Sequence, residues 1–142
     1  MRTGKGIGME TLLARHLVGR KVGLAVDSNG REIAYKFISS GYPGLPVVDG
    51  RMEVAGVVTE YDLLRAIRDG AEMEQIVAGK IMSGAPITAD TETPVKKLIE
   101  MMIDNHITII PIVSSKKFIG AVTRQEVIEA HVDPFVQRLF VE

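Results

Sequence analysis

The sequence predicts an α/β fold made of two copies of one strand, helix, strand, strand, helix unit, and three observations predict it. Gly56-Val57-Val58-Thr59-Glu60-Tyr61-Asp62 returns as Gly120-Ala121-Val122-Thr123-Arg124-Gln125-Glu126, so glycine, threonine and carboxylate recur 64 positions apart. Leu45-Pro46-Val47-Val48 is answered by Ile110-Pro111-Ile112-Val113 at a spacing of 65, and Leu24-Ala25-Val26-Asp27-Ser28 by Ile87-Thr88-Ala89-Asp90-Thr91 at 63. In each copy, short apolar runs alternate with helix-period stripes. A fixed period of this length signals a structural repeat, and drift confined to turns is what two copies of one fold show. A unit of roughly 60 residues is marginal alone, so the halves are expected to depend on each other.

The elements follow in order. Residues 1–18 are expected to form a flexible, glycine-rich tail (Gly4, Gly6, Gly8) and a lead-in helix from Met9 to Leu17 that places Leu12, Leu13 and Leu17 on one stripe, with Gly19 as its stop. The first repeat spans 19–70. Asp27-Ser28-Asn29-Gly30 is a turn, and a helix from Glu32 turns Ile33, Phe37 and Ile38 inward before Gly41 ends it. Leu45–Val48 and Val54–Val58 read as strands around an Asp49-Gly50 turn, and a helix from Thr59 buries Leu63, Leu64 and Ile67. Asp69-Gly70 closes this copy, and a linking helix over Glu72–Val77 falls in residues 71–81.

The second repeat spans 82–131. Thr93 followed by Pro94 starts a helix, because proline at the first helical position loses no needed N–H. Val95, Leu98, Met101 and Met102 give its apolar stripe, and Lys96, Lys97, Glu100 and Asp104 its wet side. Ile107–Val113 and Phe118–Val122 are the strands. Pro46 and Pro111 are expected at strand edges or starts, since proline cannot donate to a ladder. Asp133-Pro134 then breaks the last helix, and Phe135, Val136, Leu139 and Phe140 form a final apolar stripe over 132–142, which packs on its own domain or on a second copy.

Composition narrows the function. With 46% apolar and 25% charged residues the chain reads as an ordinary soluble globular protein, without an apolar run of the ~18 residues a membrane span needs. A net charge of −1 leaves no basic footprint for nucleic acid or anionic lipid. There is no cysteine, hence no disulfide and no thiolate nucleophile. Met1 to Gly19 does not read as a secretory leader, so the expected compartment is the cytoplasm. The glycines near Met1 do not make a phosphate loop, because no Gly-x-x-x-x-Gly-Lys-Ser/Thr is present. His16, His106 and His131 are too far apart in sequence for a ligand pair at helical spacing, so no metal site is expected.

The chemistry sits where each copy's last strand turns into its last helix. Gly-apolar-apolar-Thr-x-x-Asp/Glu, following an apolar-Pro-Val-Val strand and occurring twice over about Gly19 to His131, resembles the CBS domain, and the doubled pattern resembles a tandem CBS pair, or Bateman module. The resemblance implies two repeats packed pseudo-symmetrically through their sheets. It further implies a non-catalytic regulatory module that binds an adenosine-containing ligand (AMP, ADP or ATP, with adenosylmethionine or NAD as alternatives) between the repeats, associates as a flat homodimer and acts on a separate regulated protein. A carboxylate suits a ribose because its two oxygens accept from vicinal hydroxyls, with a threonine hydroxyl beside it. Carried over, one cleft joins Thr59 and Asp62 to the loop from Met82 to Ile87 and to Ile107 and Thr108. The other joins Thr123 and Glu126 to Gly19 through Leu24 and to Tyr42 and Pro43. The first has the family's aspartate and a small hydroxyl at Thr108. In the second, Glu126 adds a methylene and Pro43 removes a backbone donor, which favours the first. His106 and Arg124 lie near the clefts, within reach of a phosphate. Thr-x-x-Glu is equally a capping box, which stabilises a helix start by ~1 kcal/mol with no ligand at all, so a purely structural dimerisation module stays open beside the sensor.

Overall fold

The computed structural model describes residues 12–132, so the glycine-rich start and the stripe of Phe135, Val136, Leu139 and Phe140 lie outside the described residues. The elements run α1 (Ala14–Leu17), β1 (Leu24–Ala25), α2 (Gly30–Ser40), β2 (Gly44–Val48), β3 (Val54–Thr59) and α3 (Glu60–Arg68). A 3-10 turn (Met73–Gln75) and α4 (Ala78–Ile81) lead to β4 (Ala89–Asp90), α5 (Val95–Asn105), β5 (Ile109–Ser114), β6 (Lys117–Thr123) and α6 (Arg124–Val132). They build two three-stranded sheets of the same topology, β1-β2-β3 and β4-β5-β6. In each, the first strand runs parallel to the middle one and the last antiparallel to it. No helix among the described residues is long and apolar enough to cross a membrane.

The duplication extends to irregularities. The ladder of β2 with β3 shifts register between Val47 and Val48, and that of β5 with β6 between the equivalent Ile112 and Val113. Pro46 and Pro111 lie inside the middle strands rather than at their ends. Each precedes by one residue the first register with the parallel neighbour (Leu24 with Val47, Ala89 with Ile112), so there the middle strand is partnered on one side only, as an edge strand is.

Local chemistry sets the helix starts. Asn29 caps α2, its side chain accepting the Glu32 N–H at 3.0 Å while the Glu32 carboxylate accepts the Asn29 N–H at 2.8 Å. This reciprocal box starts the helix at Gly30, two residues earlier than the apolar period indicates. Asn29→Ala is expected to cost about 1 kcal/mol in urea denaturation, and no change would place the α2 boundary under other control. Pro94 is the N-cap of α5 rather than its first helical residue. The predicted linking helix is divided into the 3-10 turn and α4.

Three residues expected inside are not. Ile38, Leu64 and Ile67 are 83%, 55% and 47% exposed. α2 buries Ile33 and Phe37, four apart on one face, and Ile38 is turned about 100° further round. α3 buries only Leu63, with Ala66 packed beside it; Leu64 is turned about 100° away, and Ile67, four residues past Leu63, lies in the last turn and stays exposed.

The short helices cross between the repeats. Leu12, Ala14 and Leu17 belong to the core of the second repeat, with Val95, Leu98, Ile110, Ile112 and Val122. Backbone bonds fix them there, from Ala14 N–H to the Thr93 carbonyl (2.7 Å) and from Val95 N–H to the Leu12 carbonyl (2.9 Å). Conversely Ile76 and Ala78 belong to the core of the first repeat, with Leu24, Ile33, Phe37, Leu45 and Val58. Ala78 and Gly79 donate to the Ser28 and Val26 carbonyls at 2.8 Å each. Each repeat is thus completed by a helix that precedes the other.

Candidate functional site

The strand-to-helix turns at Thr59 and Thr123 hold the two polar motifs. Thr59 caps α3 and its hydroxyl accepts the Asp62 N–H at 3.2 Å, while Asp62 accepts the Thr59 N–H at 2.8 Å. The second carboxylate oxygen of Asp62 is taken by Arg65. At the other turn one oxygen of Glu126 accepts both the N–H of Thr123 (2.8 Å) and its hydroxyl (3.3 Å). The extra methylene carries the other oxygen of Glu126 toward Gly19, so close that a Cβ there would collide with it.

Two clefts lie between the repeats. The larger, about 400 Å³, has one wall from Gly19 and Arg20, one from Ser40, Gly41, Tyr42 and Pro43, and a third from Thr123, Arg124, Gln125, Glu126 and Glu129. The smaller, about 160 Å³, is lined by Val57 and Thr59, by Ser83, Ala85, Pro86 and Ile87, and by His106, Ile107, Thr108 and Ile109. Where the larger cleft has Gly19 and Gly41, the smaller has Ser83 and His106.

Of the predicted site residues, Thr123, Glu126, Tyr42 and Pro43 line the larger cleft, and Thr59, Ile87, Ile107 and Thr108 the smaller. Asp62 does not line the smaller cleft, because its carboxylate is turned to Thr59 and Arg65. Leu24 lines neither. It is 2% exposed in the first core and pairs with Val47 on β2. The strand registers give the reason: Leu24 is equivalent to Ala89, not to Ile87, so the sequence match at a spacing of 63 is two residues out of step with the fold. The sequence does not point to Ser40, Gly41, Gln125 and Glu129 of the larger cleft or to Val57 and Ile109 of the smaller; of these, Glu129 is legible as the residue three past Glu126 on the same helix.

The larger cleft is electrostatically mixed. The Arg20 guanidinium lies over the Tyr42 ring at 5.8 Å and donates to the Ser40 carbonyl (3.2 Å), and the Tyr42 hydroxyl donates to the Arg20 carbonyl (3.3 Å). Burial, and then the Glu126 charge, push the Tyr42 phenol up. Burial likewise holds the Glu126 carboxyl above the ordinary glutamate range, against the lowering effect of its bonds to Thr123. Since the raised value belongs to the folded state, the stability this group contributes is full below the ordinary range and is lost as pH rises through the raised value. Glu126→Gln should therefore exceed wild type in stability at neutral pH and approach it in acid. Urea melts of both across about pH 4–8 would show this, and a pH-independent gap would refute it.

Among the described residues no cluster of three or more His, Asp or Glu is placed to hold a metal ion. His16 accepts the Leu13 N–H at 3.0 Å, with its pKa lowered by burial and by Arg15. His131 is exposed, its ring nitrogen 2.7 Å from the Val127 carbonyl.

Set against known protein families, residues 16–69 and 78–133 each match the CBS domain. The chain belongs to the CBS-domain family. This tandem CBS pair is 33% identical over 107 residues to the uncharacterized protein MK0525 of Methanopyrus kandleri, which covers 74% of this chain and 54% of that protein. It is 37% identical over 82 residues to the mitochondrial CBS domain-containing protein CBSX3 of Arabidopsis thaliana, covering 56% and 40%. The chain thus spans about half or less of the length of these relatives. Among solved structures, the CBS domain pair of protein MJ0100, in complex with 5'-methylthioadenosine and S-adenosyl-L-methionine, has a TM-score of 0.75 at 22% identity, covering 85% of this chain and 96% of that one. An uncharacterized conserved protein of Pyrococcus horikoshii has a TM-score of 0.75 at 23% identity, covering 89% and 96%. The CBS pair therefore shares its fold with both.

Proposed function

We propose that this CBS pair is a non-catalytic sensor that binds an adenosine-containing ligand between its repeats, most simply AMP, ADP or ATP, and transmits occupancy to a partner protein. The observation that carries the reading is the cleft of about 400 Å³ lined by Glu126, one carboxylate oxygen bonded to Thr123 and the other facing Gly19. That oxygen can accept a ribose hydroxyl. The adenosyl ligands bound by the MJ0100 pair support the same ligand class. On this reading the larger cleft is the principal site, although it lacks the family's aspartate, because Asp62 is occupied by Arg65 and its cleft is less than half the size.

The test is thermal unfolding with AMP, ADP, ATP, adenosylmethionine and NAD, on wild type and Glu126→Ala. A ligand at one hundred times its dissociation constant should raise the midpoint by roughly 5–10 °C, and Glu126→Ala should abolish the rise. No rise with any of them sinks the proposal.

A structural dimerisation module is the second reading. Two observations favour it: both Thr-x-x-Asp/Glu boxes are satisfied as helix caps without a ligand, and Tyr61, Leu64 and Ile67 on α3 and Ile128 and Val132 on α6 are all exposed. A homodimer belongs to both readings. Light scattering at tens of micromolar should give twice the chain mass, and a monomer would remove that element from each.

A further inference from the structure

A further hollow, of about 300 Å³, shares no lining residue with either cleft. Leu24, Val48 and Phe118 make its lining apolar, Lys21 and Lys36 bring two ammonium groups, and the turn between β2 and β3 adds Asp49 and Met52. The internal repeat supplies a control. The strand registers make Lys21 equivalent to Pro86 and Phe118 to Val54, and the buried stripes of α2 and α5 align Lys36 with Met101. Neither cation nor the ring stands at the equivalent position, so the fold is built without them there. Met52 has a φ of +65°, which glycine adopts freely and a side chain does not. At the equivalent turn Lys116 has a φ of +70°, so the conformation belongs to the turn and the choice of methionine does not. We infer that this hollow is a binding site for a small organic anion, an apolar body carrying a carboxylate, whose body meets Phe118 and Met52 and whose charge meets Lys21 and Lys36. It lies outside both clefts and does not depend on their being adenosine sites.

The charges of the lining favour an anion. Among the described residues the Lys21 side chain makes no hydrogen bond or ion pair, and the Lys36 ammonium donates at 2.6 Å to the neutral Gly23 carbonyl. Asp49 is the one carboxylate of the lining, and it is already matched. One of its oxygens accepts the N–H groups of Glu53 (3.0 Å) and Arg51 (2.8 Å), and these bonds, with the Arg51 and Lys117 charges nearby, hold its carboxyl below the ordinary range. Two ammonium groups thus stand against one satisfied carboxylate, and a ligand carboxylate can accept charge-assisted bonds from both. Phe118 and the flexible Met52 thioether give an apolar body something to pack on, and the volume is at the small end of ligand pockets.

Amide NMR titration of the isotopically labelled full chain with phenylacetate, and with uncharged phenylacetamide, tests this. Phenylacetate should move the signals of Gly23, Ala25, Asp49 and Met52 along saturable curves and bind about fivefold or more tightly than the amide at low ionic strength. Lys21→Gln should remove most of that preference. Met52→Gly should weaken both probes while melting no lower than wild type, since glycine is unstrained at a φ of +65°. Unsaturable shifts, equal affinity for the two probes, or variants that bind as wild type does would overturn the inference. A lower melting point for Met52→Gly would also overturn it, by giving the methionine to the turn itself. Shifts confined to Tyr42 and Thr123 would overturn it by moving the anion to the larger cleft. AMP titrated in the same spectra reports the clefts by their own signals, so the sensor reading and this site fail separately.

Discussion

Leu17→Ala is expected to destabilise the protein by about 2–5 kcal/mol, and to do so through the second repeat although Leu17 precedes the first. The side chain is 1% exposed and packed in the cluster that contains Leu98, Ile110 and Val122. Truncating it leaves a cavity that α5 and β5 must collapse around, and α1, with four residues, has too few bonds of its own to resist. Urea denaturation would give the loss, and hydrogen exchange would locate it. Protection should fall first in α5 and β5. A loss under about 1 kcal/mol, or faster exchange confined to α2 and β2, would contradict the crossed packing.

Gly56→Val is expected to cost about 1–3 kcal/mol, toward the upper end because the obstacle is main chain. A Cβ at Gly56 would run into the Ser83 carbonyl and come within 2.7 Å of the Met82 sulfur. The Ser83 backbone is itself bonded to Val57, at 3.0 Å from its N–H and 3.3 Å to its carbonyl, so it cannot withdraw without losing that bridge. Gly120 is the counterpart, where a Cβ would lie 2.6 Å from Val18 at a φ of +154°. Gly50→Ala is the control, with nothing within 4 Å, and should stay within about 0.5 kcal/mol of wild type. If both glycine variants melt alike in differential scanning calorimetry, close approach is not what glycine serves at position 56.

Features decided by near neighbours were legible in the sequence. The hairpins around Asp49-Gly50, the stop at Gly41 and the caps at Thr59 and Thr123 rest on side chains a few residues apart, and all are present. Features decided by distant packing were not. Nothing near Leu64 or Ile67 says that α3 buries only Leu63, because how much of the helix the core covers depends on where the sheet lies. The mismatch of Leu24 with Ile87 arose because Val-Asp and Ala-Asp look alike in a sequence, while the register is set by pairing with Val47 and Ile112. Cleft size was likewise hidden: Pro43 and Glu126 speak for the first cleft at the level of residue type, whereas the volumes depend on how three separate segments pack around each cleft.

The exchange of α1 and α4 bears on how this chain can be divided. Severed at the exposed turn around Gly70, it would yield two pieces, each holding the helix that completes the other's core and lacking the one that completes its own. Alone, either piece would expose an unfilled groove; together, they should reassemble as a complementing pair. A second copy of the same half lacks that helix too, so neither half is expected to fold as a smaller monomer, and only the other half can complete it.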